Sequence, residues 1–379
     1  MNLSPLNIFI LTIAILHLLV ILFFITGLFR RSRSDKNREK PFVSVLISAR
    51  NEAENIEECL LSILGQSYPH DLFEILVVND RSTDNTGELA RKMDTNGKRI
   101  IVIDVESVPT GIHPKKNAIS LGVAAAKGEI IIETDADVLV ERNWIELTVE
   151  RFLPDIGMVV GSSTIRAKKK TLLENLQAVD FLLLVASAQG ALGHGIPMGA
   201  TGQNLAYRKK VFEEVGGLEI HTRRYVSNDM LFLTKVSQTD WKIVGNMSKE
   251  TIVSTLAVEG WKGFFSQRTR WASNAYWKDI NFLLLLMLSV NYFINLFVAA
   301  SIFVMIANPT FSFPIFGLIA YKVTIEALFL YVASKQLNRK DLFAKFLPWF
   351  LAVTPYVIIV GILGGIGIFS WKGYKVRSV

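Results

Sequence analysis

The stretch Phe42-Val-Ser-Val-Leu-Ile-Ser48, followed directly by Ala49-Arg50-Asn51-Glu52, sets the pattern of the polar middle of the chain. A short run of apolar and β-branched residues such as the first predicts a buried strand. Positions 51–64 then carry apolar residues at helical spacing, among them Ile56, Leu60 and Leu64. A strand followed by a helix is the building unit of a parallel sheet covered by helices on both faces.

The same unit recurs further along the chain. Strands are predicted at Phe73–Val78, Ile100–Val105 and Ile130–Thr134, and helices at Gly87–Met93 and Lys116–Ala126 between them. The sequence therefore predicts an α/β fold with a mostly parallel sheet. Because ligands of such sheets bind beyond the carboxyl ends of the strands, the polar residues after each strand are the first candidates for a site.

The two ends of the chain are apolar. Of the 379 residues, 50% are hydrophobic and 20% are charged, whereas about a quarter of the residues of a soluble domain are charged. The first apolar run, Leu6–Leu28, would span roughly 34 Å as a helix, enough to cross a bilayer core. Three more runs are predicted membrane segments: Phe282–Ile306, Phe311–Ala333 and Phe346–Phe369. These runs exclude a plain soluble enzyme and a fibrous or disordered protein.

The net charge of +7 does not predict a nucleic-acid partner, because basic residues crowd the flanks of the apolar runs. Six of them, within positions 30–40, directly follow the first run, which indicates a cytosolic end beside anionic lipid headgroups. A cleaved signal peptide is disfavoured, since no Lys or Arg precedes the run. The basic tail at 370–379 conflicts with a simple count of crossings, so either the last run is re-entrant or the tail breaks the charge rule. A single cysteine excludes an internal disulfide.

Carboxylates gather after the predicted strands. Asp80 follows the second strand, and Asp135 and Asp137 follow the strand that ends at Thr134. Two like charges so close repel each other unless a cation neutralises them, and oxygen ligands of this kind suit Mg²⁺ or Mn²⁺ with phosphate oxygens completing the shell. Asp84 and Asn85 instead fit helix capping.

Four motifs occur in order: Ser44-Val-Leu-Ile-Ser-Ala-Arg-Asn-Glu52, Val77-Val-Asn-Asp-Arg-Ser-Thr-Asp-Asn-Thr86, Asp135-Ala-Asp137 and Gln267-Arg-Thr-Arg-Trp271. Together they resemble the family 2 glycosyltransferases with a GT-A fold, which implies a catalytic domain with a Rossmann-like mixed sheet flanked by transmembrane helices. The similarity is to their membrane-bound branch, which includes ceramide glucosyltransferases, carotenoid and hopanoid glycosyltransferases, and the cellulose, hyaluronan and poly-N-acetylglucosamine synthases. The resemblance covers about Pro41 to Trp277.

The resemblance assigns roles to individual residues. It implies nucleotide-sugar binding by Ala49, Arg50, Glu52, Asp80, Lys115 and Asp135, with Lys116 as an alternative to Lys115. It implies a metal ligand, Asp137, and a general base, Asp229, which here follows Asn228 where the family usually has an acidic residue. Gln267, Arg270 and Trp271 would complete the catalytic group. On a helix these last three share one face. The alternative to a catalytic role is that they form an aromatic and basic belt at the membrane interface.

The expected organisation is a transmembrane helix at 1–29, a basic linker at 30–40, a cytosolic catalytic domain at 41–257, an interface helix at 258–281, membrane segments at 282–369 and a basic tail. The expected function is an inverting, metal-dependent transfer of a sugar from a nucleotide diphosphate-sugar, with a UDP-sugar as the first expectation, to a membrane lipid or lipid-linked acceptor in a bacterial inner membrane. A processive polysaccharide synthase and a catalytically silent membrane scaffold are the alternatives.

Overall fold

The computed structural model describes residues 5–30, 36–93, 99–109, 111–218, 228–273, 282–308, 312–371 and 374–377. Parts of the predicted basic linker, interface helix and tail lie outside these residues. The chain divides into two compact units. The sheet unit comprises Arg30–Lys168 and Ala191–Ala257, and the helical unit comprises Met1–Phe29, Lys169–Gly190 and Val258–Val379.

The described helices and strands follow one another in this order: α1 (Pro5–Phe29), β1 (Val43–Ala49), α2 (Ile56–Leu64), β2 (Phe73–Asp80), α3 (Thr86–Lys92), β3 (Ile100–Val105), α4 (Pro114–Ala125), β4 (Ile130–Asp135), α5 (Trp144–Val149), β5 (Ile156–Gly161), β6 (Ser163–Arg166), α6 (Leu172–Gly193), β7 (Leu205–Arg208), α7 (Lys209–Glu214), α8 (Asn228–Ser237), β8 (Lys242–Asn246), β9 (Val253–Leu256), α9 (Gly260–Ser273), α10 (Phe282–Ala307), α11 (Ser312–Gln336), α12 (Phe346–Ile366), β10 (Ile368–Trp371) and β11 (Tyr374–Arg377).

A seven-stranded sheet forms the centre of the sheet unit, in the order β3-β2-β1-β4-β7-β5-β8. β3, β2, β1 and β4 run parallel, as does the pair β5 and β8. β7 lies between β4 and β5 and is antiparallel to both. The predicted α/β fold is therefore confirmed, with one antiparallel strand that the strand and helix pattern did not predict. A separate small parallel sheet pairs β6 with β9.

The inner strands β1, β2, β4 and β5 are almost wholly buried, which explains why they are mostly apolar. Val45 and Ile47 of β1 pack in a core that includes Ile56 of α2. Leu46, between them, faces the opposite core, which includes Ile119 of α4. Successive side chains of one strand thus serve two different cores.

A buried asparagine connects four segments of the sheet unit. Asn204 is 2% exposed, and its Nδ2 donates to the carbonyl oxygens of Ser162 and Thr251, both at 2.8 Å. Its Oδ1 accepts from the indole Nε1 of Trp144 at 3.0 Å. A Cβ on Gly161 would lie 2.2 Å from Asn204 Cγ, so only glycine leaves room for this side chain.

Five helices in the described part of the chain are long and apolar enough to cross a membrane: Asn7–Phe29, Leu172–Gly193, Phe282–Ala307, Pro314–Gln336 and Lys340–Ile366. Such a set is typical of an integral membrane protein. Four of them correspond to the predicted segments, and α6 is the fifth. The most apolar window of α6 is 67% buried inside the protein, against 17% for α1, so α6 is packed mainly against protein. The last run forms one continuous helix with Pro355 inside it.

Polar side chains inside the apolar helices are paired. Lys322 and Glu326 lie one turn apart on α11, with Nζ and Oε1 separated by 2.7 Å, and the Lys322 side chain is fully buried. The Tyr321 hydroxyl donates to the carbonyl oxygen of Ala14 at 2.7 Å and lies 3.1 Å from Nδ1 of His17. These bonds connect α11 to α1. At another contact within the helical unit, a Cβ on Gly190 would lie 2.4 Å from the carbonyl oxygen of Phe24.

We expect Asn204→Ala to destabilise the sheet unit strongly. The change leaves one indole N–H and two carbonyl groups without their partner, and each unsatisfied buried group costs about 1–3 kcal/mol. The lower limit for three such groups, about 3 kcal/mol, corresponds to a fall of roughly 6–12 °C in the midpoint of thermal unfolding. The measurement is thermal unfolding of the detergent-purified protein. Gln238→Ala, at an exposed position, is the matched control, and equal midpoints for the two variants would contradict the role of Asn204.

Candidate functional site

The register of the parallel strands brings the predicted site residues to one edge of the sheet. Ala49, the last residue of β1, pairs with Asn79 of β2, and Ser48 pairs with Asp135 of β4. Arg50 follows Ala49 directly, and Asp80 follows Asn79. The carboxyl ends of the three strands therefore present these residues side by side, as the sequence predicted.

The loops after β1 and β2 hold each other in place. Asn51 has φ 54° and Arg81 has φ 53°, a left-handed backbone that non-glycine residues rarely adopt. Asn51 Oδ1 accepts from the backbone N–H of Thr83 at 2.8 Å. Asp84 Oδ1 accepts from the backbone N–H of Thr86, the first residue of α3, at 3.1 Å, whereas the side chain of Asn85, at the N-cap position, makes no capping hydrogen bond.

Two carboxylates predicted to bind the nucleotide-sugar lie at the ends of these strands: Asp80 is the last residue of β2, and Glu52 lies in the loop after β1. Asp80 is buried at 5% exposure, and its Oδ1 accepts from Nε of Arg81 at 2.8 Å. Glu52 Oε2 accepts from Nδ2 of Asn55 at 3.0 Å. Carboxylates in this setting accept hydrogen bonds from hydroxyl and N–H donors.

Lys115 forms an ion pair with Asp135. Its Nζ lies 2.8 Å from Asp135 Oδ1. Burial alone would lower the pKa of the Lys115 ammonium group, but the carboxylates of Asp135, Asp229 and Glu133 raise it above its ordinary value. Lys116, the alternative from the sequence, is fully buried within the core. Of the two lysines, Lys115 is the one that reaches Asp135.

Asp137 lies in a region of excess negative charge. Its Oδ2 accepts from the hydroxyl of Thr255 on β9 at 2.9 Å. Burial, followed by the charges of Asp135 and Glu52, raises the pKa of the Asp137 carboxyl to about 6. A positive charge placed here would be stabilised by the same carboxylates.

The donor atoms at this edge fit a hard divalent cation. Carboxylate oxygens of Asp135 and Asp137 are the ligands that Mg²⁺ or Mn²⁺ prefers. Within the described ranges, no group of three or more His, Cys, Asp or Glu side chains could hold a metal ion. Magnesium is usually bound by one or two carboxylates with substrate phosphates and water, and this edge matches that mode.

Asp229 lies in the first turn of α8 and accepts hydrogen bonds from two backbone N–H groups. Its Oδ2 accepts from the N–H of Gly202 at 3.0 Å, and its Oδ1 accepts from the N–H of Met230 at 3.1 Å. A Cβ on Gly202 would lie 3.9 Å from Nζ of Lys115. The structure thus brings Asp229 and the Lys115–Asp135 pair to the same edge of the sheet unit.

The sequence analysis did not identify two polar residues at this edge, Glu133 and Thr255. Glu133 is buried within β4 and accepts from the hydroxyl of Tyr207. Burial raises its pKa to about 7, although that hydrogen bond lowers it. The signal in the sequence was a charged residue directly after the apolar run Ile130–Ile132, within the predicted strand. Thr255 gave no signal, because it reaches Asp137 from 118 residues away in the chain.

Gln267, Arg270 and Trp271 lie on α9 in the helical unit, one turn apart as predicted. The ring centroid of Trp271 is 5.8 Å from that of Phe181 on α6. Their assignment to catalysis stays a prediction.

Comparisons with known proteins agree with the fold and the motifs. Residues 44–216 match the family described as glycosyl transferase family 2. A probable glycosyltransferase, YdaM of Bacillus subtilis strain 168, is 26% identical over 350 residues, which are 85% of this chain and 82% of the relative. A poly-beta-1,6-N-acetyl-D-glucosamine synthase of Staphylococcus aureus strain COL is 27% identical over 242 residues, which are 62% of this chain and 54% of that synthase.

A solved structure shares the fold over almost the whole chain. The mannosyltransferase PcManGT from Pyrobaculum calidifontis, in complex with GDP-Man and Mn²⁺, superposes with a TM-score of 0.57 at 20% identity, covering 94% of this chain and 98% of its own. The predicted GT-A fold and the resemblance to family 2 glycosyltransferases are therefore confirmed.

We expect Lys115→Met to weaken the binding of nucleoside diphosphates. A hydrogen bond to a charged group contributes about 1.5–3 kcal/mol, so the affinity for UDP or GDP should fall by roughly 10- to 100-fold. Isothermal titration calorimetry in the presence of Mn²⁺ measures the change. Lys127→Met, at an exposed position near the end of α4, is the control, and unchanged affinity in Lys115→Met would remove Lys115 from the site.

Proposed function

We propose that this chain, whose residues 44–216 match glycosyl transferase family 2, transfers a sugar from a nucleotide diphosphate-sugar to a membrane lipid or a lipid-linked acceptor. The observation that carries the proposal is the edge of the sheet unit where Asp135, Lys115 and Asp229 meet. The apolar helices support an acceptor in the membrane, and the catalytic domain is proposed to be cytosolic.

The donor is proposed to bind at the carboxyl ends of β1, β2 and β4. Glu52 and Asp80 would accept hydrogen bonds from the ribose hydroxyls and the base, with Ala49 and Arg50 beside them. Lys115 would contact the diphosphate, and Asp135 the nucleotide or the sugar. The GDP-Man complex of the mannosyltransferase with the same fold supports a nucleotide diphosphate-sugar as donor, and UDP-sugars are the first donors to test.

Asp137 is proposed to hold a divalent cation, with Asp135 beside it. The Mn²⁺ in the mannosyltransferase structure and the raised pKa of Asp137 support this assignment. When bound, the cation would supply positive charge that neutralises the diphosphate as the bond to the sugar breaks.

Asp229 is proposed to act as the general base. It would accept the proton of the acceptor hydroxyl while that oxygen forms a bond to the anomeric carbon of the sugar. The bond between that carbon and the diphosphate oxygen breaks on the opposite side, so the configuration inverts and a nucleoside diphosphate leaves. The two N–H donors from Gly202 and Met230 fix the carboxylate in one orientation for this task.

A processive polysaccharide synthase is the second candidate, favoured by the similarity to the poly-beta-1,6-N-acetyl-D-glucosamine synthase. The chain spans about half the length of that relative, so polymer formation does not follow from the similarity. Product size separates the two candidates. Membranes that contain the protein would be incubated with a panel of labelled UDP- and GDP-sugars. A single labelled lipid supports the proposal, a ladder or polymer supports the synthase, and no nucleotide release from any donor contradicts both.

We expect Asp137→Asn to remove most metal-dependent transfer, because an amide offers no charge to hold the cation. The direct readout is Mn²⁺ binding in the presence of UDP, measured by calorimetry, which should weaken by at least about tenfold. Asp240→Asn, at an exposed position of the sheet unit, is the control. If EDTA leaves turnover of the unmodified protein untouched, the metal assignment is wrong.

We expect Asp229→Asn to lower the rate of transfer by about 10²–10⁴-fold, the usual contribution of a positioned base. The substitution is nearly isosteric, so nucleotide affinity measured by calorimetry should stay within about twofold of the unmodified value. If the protein were a catalytically silent scaffold, the unmodified protein would show no sugar transfer. Transfer by Asp229→Asn at the unmodified rate would make Asp229 a helix cap only.

A further inference from the structure

A buried arginine lies inside the sequence motif Gln267–Trp271, at a position to which the motif assigns no role. Arg268 is 2% exposed as a whole residue. Its Nε lies 2.7 Å from Oδ2 of Asp180 on α6, and the hydroxyl of Tyr356 on α12 lies 3.3 Å from the same oxygen. The guanidinium group therefore connects α9 to α6, and through Asp180 to α12, inside the helical unit.

The same guanidinium group contacts two of the three motif side chains. Its Nη1 donates to Oε1 of Gln267 at 2.6 Å. Its central carbon lies 4.1 Å from the ring centroid of Trp271, the geometry of a cation–π contact. Nη2 is buried and makes no hydrogen bond within the described part of the chain. Phe264 flanks the group at 5.1 Å.

These contacts differ from those of an ion pair that only joins helices. Burying a guanidinium group costs several kcal/mol unless it is paired, and an apolar replacement of the whole pair is often neutral or stabilising. An ion pair needed only for packing would not require a hydrogen bond from Arg268 to Gln267, nor the contact of the planar guanidinium group with the ring of Trp271. The planar fork of arginine serves Asp180, Gln267 and Trp271 at once, which a lysine cannot do.

We propose that Arg268 is a positioning residue that holds the Gln267 and Trp271 side chains in the orientation needed for sugar transfer. The inference rests on the proposed function, since it assumes that these two side chains take part in transfer. Asp180 anchors Arg268 from α6, and it is thereby a structural partner of the motif helix.

The decisive experiment replaces the whole polar group by apolar side chains of similar size. The triple variant Arg268→Met, Asp180→Leu and Tyr356→Phe leaves no unpaired buried charge, so its thermal midpoint should stay within about 3 °C of the unmodified protein. We expect kcat to fall by roughly 10- to 100-fold, because small misplacements of catalytic groups cost this much. Nucleotide affinity should change by less than about twofold, since the proposed nucleotide residues lie in the sheet unit.

The matched control removes a second ion pair of the helical unit, Arg339 and Asp341, which lie 2.9 Å apart. Arg339→Met with Asp341→Leu should keep the unmodified kcat. A triple variant that folds and keeps kcat within about twofold of the unmodified value would overturn the role of Arg268 in positioning.

If the triple variant does not fold, the single variant Arg268→Lys tests the positioning role of Arg268. Lysine keeps a positive charge for Asp180 but lacks the several N–H donors and the planar surface of the guanidinium group. A fall in kcat of about tenfold with unchanged nucleotide affinity therefore supports the proposal. Retained kcat overturns it. Absence of transfer by the unmodified protein with every donor of the panel overturns the proposed function and this inference together, whereas transfer by the unmodified protein with an unimpaired variant overturns the inference alone.

Discussion

Backbone hydrogen bonding between β1 and its two parallel neighbours, β2 and β4, fixes the edge at which the candidate site is built. Seven residue pairs join β1 to β2 and six join it to β4. A shift of one residue in either pairing would turn every side chain of the shifted strand to the other face. It would also displace Asp80 or Asp135 along the edge. The two cores on either side of the sheet, which differ in the residues they take from β1, hold this register.

The concentration of carboxylates that this register produces is electrostatically unfavourable in the protein alone. Burial, followed by the charges of Asp135 and Glu52, raises the pKa of the Asp137 carboxyl. Lys115 is ion-paired with Asp135. Within the described part of the chain, no basic side chain forms an ion pair with Asp137. A region with surplus negative charge of this kind favours a ligand that brings cations with it. A nucleotide diphosphate bound together with a divalent metal ion is such a ligand, which gives the proposed donor chemistry a physical reason beyond motif similarity.

The features read correctly from the sequence are those encoded by local pattern. The four strands between Val43 and Asp135 were predicted within one or two residues, because each is a short run of mostly apolar residues. The resemblance to the GT-A fold implied a mixed sheet, but the position of the antiparallel strand β7 was not predicted, since pairing between distant segments leaves no local period. Thr255 and Arg268 were missed for the same reason: their importance comes from partners 118 and 88 residues away. The hydropathy of α6 indicates a membrane segment, yet burial against protein is a property of packing that composition does not encode.

The pairing of Lys322 with Glu326 on a single helix has a consequence for how the protein is made. A lone charge at the centre of a membrane segment opposes insertion by about 2.5–3.5 kcal/mol. Because both partners belong to α11, one turn apart, their charges neutralise each other as soon as that helix forms. No other helix has to be present first. The centre of α11 can therefore enter the membrane with its two buried charges already paired, before that helix packs against α1.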